Sequence, residues 1–306
     1  MYIKTSTLAG LVLLAASQPA NAVVINFNYS YDGGFFSGAN QGRQSILEAA
    51  GGYLGSILSD SLAAITSNGS NHFDAVFDRP DTGVLTTLSN FNVAPDTLTV
   101  FVGGRNLGSG TLGVGGPGGY SVGGNSTYVN TAPQRGQSGV GSSDFAPWGG
   151  QISFSTVADW YFDSDLSTSE SFTGNDFYSV ALHELGHVLG LGTAGSWNNQ
   201  VSGSSFNGAN AVAAYGALVP LQGGGDTGHW QEGTQSTVNG VLQEALLDPT
   251  ITTGTRKLFT KLDLAALQDV GWQVSAAAVP LPSALWLFGT ALFGFAATQR
   301  KQYSRR

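Results

Sequence analysis

The segment 180–195, VALHELGHVLGLGTAG, holds two histidines and a glutamate at a spacing that suits metal chemistry. His183 and His187 are four residues apart, so on a helix both rings lie on one face, one turn from each other. Catalytic zinc usually takes three protein ligands and keeps one position open for water. The spacing therefore predicts a metal-binding helix with Glu184 beside the metal, and a third ligand from elsewhere in the chain.

The third ligand has few candidates, because the chain contains only four histidines. In a common extended motif it comes ten residues after the first histidine, and that position is Thr193. His229 is the better candidate, since its Gly-rich segment can bring an imidazole over the helix. His72 lies far upstream at the expected start of a strand, where a satisfied or solvated histidine is favoured. A carboxylate, Glu232 or Glu244, is the rival, as in His-His-Glu zinc sites.

These groups together could hydrolyse a peptide bond. A bound zinc ion would acidify a water molecule, and Glu184 would take its proton and pass it to the leaving amine. Asp226, three residues before His229, is a candidate for orienting that imidazole. An aspartate in a Gly-rich turn is also common without such a role.

An acidic stretch before the metal-binding helix offers oxygen ligands for a calcium ion. Its spacing matches no EF-hand pattern, so a solvated loop that ends in a helix cap is the favoured interpretation. The residues concerned are Asp159, Asp163, Asp165, Glu170 and Asp176.

The metal-binding helix needs defined ends and an apolar face. Asn175 and Asp176 are good N-cap residues for a helix that begins near Phe177. Gly190 and Gly192 are expected to end it. Three leucines at helical spacing share a face away from the histidines and can pack on a sheet: Leu182, Leu185 and Leu189.

The rest of the body is a mixture of helices, strands and long Gly-rich loops. Periodicity predicts helices over 43–60 and 260–272, a short helix within 210–221, and strands over 97–104 and 151–162. A glycine pair at Gly51 and Gly52 weakens the first helix. Thr260 and Asp263 form a capping-box pattern at the start of the last one. The predicted class is α+β.

The first 22 residues have the layout of a secretory signal. Lys4 precedes an apolar run, and the segment ends in Ala-Asn-Ala, with cleavage expected after Ala22. The alternative is a buried N-terminal helix.

The C-terminal segment carries an apolar run over 279–297, of about the length that spans a bilayer, followed by a basic tail. The run resembles the PEP-CTERM sorting signal of Gram-negative bacteria, with VPLP at the place of the family's Val-Pro-Glu-Pro-type motif and Leu281 in place of the acidic residue. The resemblance implies a temporary inner-membrane anchor that an exosortase-type enzyme removes on the way to the cell surface or beyond. A permanent single-span anchor is the alternative.

Charge and cysteine content exclude several classes of protein. The net charge is −8, and the two ends hold five of the twelve basic residues and no acidic ones, so the body is still more acidic. Such a surface repels nucleic acid and anionic lipid. The chain has no cysteine, which excludes disulfides and any latency that depends on a thiolate of its own.

Four separated motifs together resemble the metzincin zinc metalloproteases, in particular their leishmanolysin-like branch. They are HELGHVLGLGT over 183–193, His229-Trp230, EALLDP over 244–249 and LFTKLDLAALQDVGW over 258–272. The resemblance implies one catalytic zinc held by His183, His187 and His229, with Glu184 as general base. It also implies a twisted mixed sheet packed on a backing helix and an active-site helix, with a loop-rich C-terminal subdomain that ends in a helix. The family has a methionine beneath the zinc, where this chain has Leu247.

These inferences divide the chain into a signal peptide, an N-terminal subdomain with the zinc helix, a C-terminal subdomain and a sorting signal, at 1–22, 23–192, 193–275 and 276–306. The predicted function is that of a secreted zinc endopeptidase acting on proteins or peptides. The alternative is a catalytically weak or inactive surface or biofilm-matrix protein that keeps the protease fold. Leu247 gives some support to the alternative, whereas the intact His-Glu-His motif supports the enzyme.

Overall fold

The computed structural model describes residues 23–168 and 170–275. Its helices are α1 (Gly42–Ile57), α2 (Ser126–Thr131), α3 (Phe177–Val188), α4 (Gly195–Asn198), α5 (Ala209–Tyr215) and α6 (Lys261–Val270). Its strands are β1 (Val24–Asn28), β2 (His72–Asp78), β3 (Leu85–Leu88), β4 (Thr97–Arg105), β5 (Gly113–Pro117), β6 (Gly119–Gly123), β7 (Gly149–Ser155), β8 (Trp160–Tyr161), β9 (Asn175–Asp176), β10 (Val201–Ser202), β11 (Ser205–Phe206), β12 (Val219–Pro220), β13 (Gln235–Val238) and β14 (Val241–Glu244). The predicted α+β class is confirmed.

The main sheet is mixed, with strand order β1-β4-β7-β5. Strands β1, β4 and β7 run parallel, and β5 closes one edge in the antiparallel direction. β4 is buried on both faces, because Leu98, Val100 and Val102 pack on one side and Phe101 packs on the other. This two-sided burial explains the nearly continuous apolar run in the sequence of β4.

Two helices cover the leucine- and valine-bearing face of the main sheet. α1 and α3 share its apolar cluster. The glycines of α1 allow it to lie close to β1: a Cβ on Gly51 would come within 2.7 Å of the Phe27 ring, and one on Gly55 within 2.3 Å of the Val23 carbonyl oxygen. Glycines that lower the helical propensity of this segment thus serve a close helix–strand contact.

A small antiparallel sheet, β3-β2-β6, lies against the opposite face. The two layers meet through aromatic rings, with Phe77 stacked on Phe101 at 4.2 Å between centroids and Trp148 beside them. This second cluster is separate from the one beneath α1 and α3.

Residues 193–275 contribute to the same apolar cluster as α1 and α3. Trp197, Trp230 and Trp272 are almost completely buried in it. α6 begins with the predicted capping box, in which Thr260 accepts from the Asp263 N–H and the Asp263 side chain accepts from the Thr260 N–H. The remaining strands form short ribbons, β10-β11-β12, β13-β14 and β8-β9.

One predicted element is wrong in its extent. The strand expected over 151–162 ends at Ser155 and resumes only as the two-residue β8. The indole of Trp160 turns back to donate to the Ser155 carbonyl at 2.7 Å, which fixes a bend between the two pieces. β-forming residues alone do not show such a break, because it depends on a side-chain bond across the turn.

The predicted signal peptide over 1–22 and the predicted apolar span over 279–297 lie outside the described residues. Among the residues that the structure does describe, no helix has the length and apolar character needed to cross a membrane.

Candidate metal centre

The start of α3 is fixed by a buried network. Asp176 is the N-cap, and its carboxylate accepts from the Ser179 backbone N–H at 3.2 Å and from the Ser179 hydroxyl at 2.6 Å. Arg256 donates two hydrogen bonds of 2.9 Å to the same carboxylate and forms a 2.8 Å ion pair with Asp163. The predicted N-cap is therefore confirmed, and the helix that carries His183 starts from a rigid point.

The structure brings three histidines together. The Nε2 atoms of His187 and His183 are 3.1 Å apart, those of His187 and His229 are 3.1 Å apart, and those of His183 and His229 are 3.3 Å apart. The first two come from adjacent turns of α3, whereas His229 lies in a loop more than forty residues downstream. The three ring nitrogens thus form a nearly equilateral triangle.

Each imidazole is oriented by a hydrogen bond from its other nitrogen. Nδ1 of His183 contacts the Leu246 carbonyl oxygen, Nδ1 of His187 contacts the Leu191 carbonyl oxygen, and Nδ1 of His229 contacts Asp226 Oδ2, each at 2.8 Å. Carbonyl and carboxylate oxygens only accept, so every Nδ1 carries the proton. In the neutral rings, all three Nε2 atoms therefore point lone pairs at the same place.

This donor set fits a zinc ion. Three converging lone pairs repel one another unless a cation lies among them. Zn–N bonds of about 2.0–2.1 Å in tetrahedral geometry separate two ligand nitrogens by about 3.3 Å, close to the spacing seen here. An outer hydrogen bond on every imidazole is the usual arrangement around a metal.

The electrostatics of the site favour neutral imidazoles. Burial, reinforced by repulsion from His187 and His229, holds the pKa of His183 well below 6.5. Burial and the neighbouring His229 lower the pKa of His187 to about 4. The pKa of Asp226 is also lowered; its partial burial opposes ionisation, but the Gly228 N–H and the His229 ring stabilise the carboxylate. At neutral pH, His183 and His187 can therefore accept a metal without first losing a proton.

Glu184 lies beside the triangle and is almost fully buried, with 5% of its surface exposed. Burial raises its pKa to about 8, and a hydrogen bond from the Gly115 backbone opposes this rise. β5 passes so close that a Cβ on Gly113 would lie 2.5 Å from Glu184 Oε1, and one on Gly115 would lie 3.0 Å from Oε2. Glycines in β5 therefore make room for the carboxylate.

Glycines also let the loop that carries His229 approach α3. Gly192 has φ +73°, and a Cβ there would lie 2.2 Å from the Gly228 carbonyl oxygen. The two backbones pass each other at a distance that no side chain permits. Thr193, at the usual place of a third ligand, instead donates its hydroxyl to the His187 carbonyl at 2.7 Å.

The rival ligands lie in a different place. Glu232, Glu244 and Asp248 form a cluster of their own, and Glu244 ends strand β14. Lys257 Nζ lies 2.6 Å from Glu244 Oε2 and 3.3 Å from Asp248 Oδ1. This cluster already contains a cation from the protein itself.

The other candidates lie outside both metal-capable clusters that occur among residues 23–168 and 170–275. His72 is at the start of β2, beside Gly123. The acidic stretch considered for calcium is engaged elsewhere: Asp163 and Asp176 pair with Arg256, and Glu170 accepts from the Tyr161 hydroxyl.

Sequence reasoning missed the backbone partners of the histidines. The carbonyls of Leu246 and Leu191 have no side-chain signature, so nothing in the sequence marks them. The two β5 glycines did carry a signal, since glycine within a strand often marks a close approach. Leu247, at the place of the family methionine, is buried and its carbonyl accepts from the Trp230 N–H at 3.1 Å.

A cleft of about 980 Å³ opens onto the three histidines and Glu184. Its lining includes residues 108–115, which lead into β5, residues at the start of α3 and residues 248–251. Its volume is at the upper end of the range usual for ligand sites.

Comparison with known proteins agrees with this geometry. Residues 124–199 match the matrixin family model, and residues 278–301 match the PEP-CTERM protein-sorting motif. A curated relative, Metalloendoproteinase 1 of Glycine max, is 38% identical over 60 residues, which is 20% of each chain. The protein thus spans about a fifth of the length of that relative, and no solved structure matches it.

The matrixin segment contains α3 with His183, Glu184 and His187, but it ends before His229. Matrixins are zinc-dependent, which suggests zinc as the metal. The predicted metzincin resemblance is confirmed at the level of the matrixin segment, whereas its leishmanolysin-like details stay a prediction. The PEP-CTERM motif confirms the predicted sorting signal and indicates export to the cell surface of a Gram-negative bacterium, with processing by an exosortase-type enzyme.

Proposed function

We propose that this protein is a secreted zinc-dependent endopeptidase that hydrolyses peptide bonds, with His183, His187 and His229 as zinc ligands and Glu184 as general base. The observation that carries the proposal is the convergence of three Nε2 lone pairs, 3.1–3.3 Å apart, beside a buried carboxylate in an open cleft. The metzincin-type arrangement of sheet, backing helix α1 and active-site helix α3 supports it.

Zinc in this site would supply a Lewis acid that activates a water molecule and polarises the substrate carbonyl. The Nδ1 bonds of the protein aim all three imidazoles, and burial keeps His183 and His187 neutral. Asp226 would act on the zinc through His229, by fixing the tautomer and raising the basicity of that ring.

Glu184 would move the protons. Its carboxylate would take a proton from the attacking water and deliver it to the leaving amine. The buried position raises its pKa to about 8, and the charge of a nearby dication acts in the opposite direction. With the dication bound, the ionised carboxylate that can take up a proton would be favoured.

The position of β5 suggests how a peptide would lie. β5 is an edge strand of the main sheet, and no described strand pairs with its outer side. An extended peptide could add to this edge by backbone hydrogen bonds and pass its scissile bond beside Glu184. The acidic surface of the chain argues against nucleic acid as a partner.

We also propose a route by which the protein is exported. An N-terminal signal over 1–22 would direct export, and the C-terminal segment would serve as a membrane anchor until its removal. We propose an intermediate that is anchored in the inner membrane. The mature protein is then located at the cell surface or released.

A single set of variants tests the chemistry. We expect about one zinc per chain in the wild type and in Glu184→Gln, while Glu184→Gln loses about 10²- to 10⁴-fold in the rate of casein or gelatin cleavage. His229→Ala should lose most of its zinc. Glu232→Gln is the matched control, because it changes the same chemical group in the rival cluster and should retain both zinc and activity.

The second candidate function, an inactive surface or matrix protein, is favoured by Leu247 in place of the family methionine. It predicts zinc without cleavage in the wild type as well as in Glu184→Gln. Zinc retained in His229→Ala but lost in Glu232→Gln would instead contradict the proposed ligand set.

A further inference from the structure

Asp263 is a completely buried carboxylate that receives hydrogen bonds from three separate segments of the chain. Within its own helix start it accepts from the Thr260 N–H at 2.9 Å and the Thr260 hydroxyl at 2.7 Å. A capping box needs only the bond from the Thr260 N–H and the bond from the Asp263 N–H to Thr260 Oγ1, at 3.4 Å. Three further donors reach it from other segments, so the carboxylate does more than cap α6.

The first of these segments is the turn at Leu246 and Leu247. The Leu246 N–H donates to Asp263 Oδ2 at 2.9 Å, and the Leu247 N–H donates to Oδ1 at 3.2 Å. The carbonyl of Leu246 accepts from His183 Nδ1 at 2.8 Å. One residue therefore joins the buried carboxylate to the first proposed ligand.

The second segment contains the neighbour of the third proposed ligand. Trp230 directly follows His229, and its indole N–H donates to Asp263 Oδ1 at 2.9 Å. The Trp230 backbone N–H also donates to the Leu247 carbonyl at 3.1 Å. Its ring is fully buried and packs against Trp197, with centroids 5.1 Å apart. The position of His229 along the loop is thus tied to the same carboxylate.

We propose that Trp230 and Asp263 are positioning residues of the metal site, because their bond holds His229 at the distance from His183 that zinc requires. This inference rests on the proposed function, since it assumes that the three histidines bind zinc. Asp263 accepts from the peptide N–H groups of Leu246 and Leu247 on one side of the site and from the Trp230 indole on the other, so a shift of either segment would have to break a buried charge-assisted hydrogen bond. Without that bond, the loop from 223 to 229 would retain His229 but lose its fixed spacing from α3.

The test is the zinc dissociation constant of the full chain, measured by competition with a chromophoric chelator. Trp230→Phe keeps a buried aromatic ring and removes the N–H donor. We expect zinc to bind about 10- to 100-fold more weakly than in the wild type, as for the loss of other partners behind a metal ligand.

Trp148→Phe is the matched control. Trp148 is equally buried, and its indole N–H donates to the Gly119 carbonyl at 2.8 Å, but it belongs to the cluster on the opposite face of the main sheet. With zinc removed by chelator, both variants should melt below the wild type. Only Trp230→Phe should lose zinc affinity.

Asp263→Asn is a second variant and should weaken zinc binding at least as much as Trp230→Phe, because its amide opposes the donors of Leu246 and Thr260. A soluble Trp230→Phe protein keeps the test decisive if Asp263→Asn fails to fold. Unchanged zinc affinity in Trp230→Phe, or an equal loss in Trp148→Phe, would overturn the positioning role while leaving the proposed function intact. A wild-type chain that binds no zinc would overturn both.

Discussion

The two halves of the candidate site are built in different ways. His183, Glu184 and His187 lie within five consecutive residues of α3, where the helix geometry sets their spacing. His229 comes from a Gly-rich loop, whose neighbouring residues contact Asp263 and Gly192, both distant in sequence. The helical half depends on local backbone hydrogen bonds, and the loop half depends on packing.

Because of this difference, we expect the two halves to tolerate substitutions elsewhere in the chain to different degrees. Within α3, helix geometry places both histidine rings on one face, one turn apart. The loop keeps His229 in place only while Gly192, Asp226 and Trp230 hold it. We therefore expect substitutions distant in sequence to affect the loop half more than the helical half.

The largest expected effect comes from removing a ligand in either half. His187→Ala and His229→Ala should each weaken zinc binding by more than the 10- to 100-fold typical of outer partners. Similar losses, measured by chelator competition, would show that the two halves contribute equally despite their different construction. Tight zinc binding in His229→Ala would mean that the helical pair suffices with a ligand other than the loop histidine.

A second prediction concerns the strand that covers Glu184. In Gly115→Ala, the new Cβ would lie 2.8 Å from the Glu184 carbonyl oxygen and 3.0 Å from Oε2, so β5 and Glu184 must move apart. We expect cleavage of casein to fall by about 10²-fold or more, on the scale of losing a general base, with zinc retained.

Gly116→Ala is the control for that prediction. It lies next in the same strand, and its Cβ would meet only Gln151 Nε2, at 3.9 Å. This variant should keep nearly full activity. Equal activity in the two variants would show that β5 does not hold Glu184 in position.

A third prediction tests the close passage of the loop. Gly192→Ala places a Cβ 2.2 Å from the Gly228 carbonyl, so the loop must retreat and zinc affinity should fall about 10-fold or more. Gly224→Ala is matched in φ, +77° against +73°, but its Cβ meets nothing within 4 Å. This variant should lose about 1–2 kcal/mol of unfolding free energy, because alanine disfavours the left-handed backbone region. Its zinc affinity should not change. Equal zinc affinities would show that the loop is held by other contacts.

The smallest expected effect concerns Asp60, a buried carboxylate that belongs to neither half of the candidate site and does not line the cleft. Burial, together with the neighbouring charge of Asp144, raises the pKa of Asp60 to about 6 from an ordinary value of 3.8, although the Gln273 N–H opposes this rise. The folded state therefore favours the protonated form. This contribution to stability is fully present below about pH 4 and is lost as the pH rises through 6.

Asp60→Asn should consequently be more stable than the wild type at pH 7.5, by about 1–3 kcal/mol, and the difference should shrink toward pH 4. Urea unfolding with zinc chelated at both pH values measures this, with the exposed Asp78→Asn as control. A stabilised variant would show that burying a carboxylate is costly where it has no role, which sharpens the contrast with Glu184. A difference that grows toward pH 4 would contradict the assigned pKa shift.

Much of the fold could be predicted from local patterns. The N-cap at Asp176, the capping box of Thr260 and Asp263, and the strand over 97–104 all appear where their sequence signals place them. The break after Ser155 could not be predicted, because it depends on the Trp160 indole bond. The glycines of α1 weaken a helix in isolation, and only packing against β1 shows why they are tolerated.

The sequence by itself determined the helix, its two histidines and Glu184, because a spacing of four residues fixes relative positions within one turn of backbone hydrogen bonds. It also determined the acidic body and the sorting motif, which depend on composition and order alone. Only the tertiary structure decided that His229 rather than Glu232 or Glu244 approaches this pair, and that Lys257 engages Glu244 instead. The reason is that a loop has no repeating hydrogen-bond pattern, so its position is set by contacts with residues that are distant in sequence.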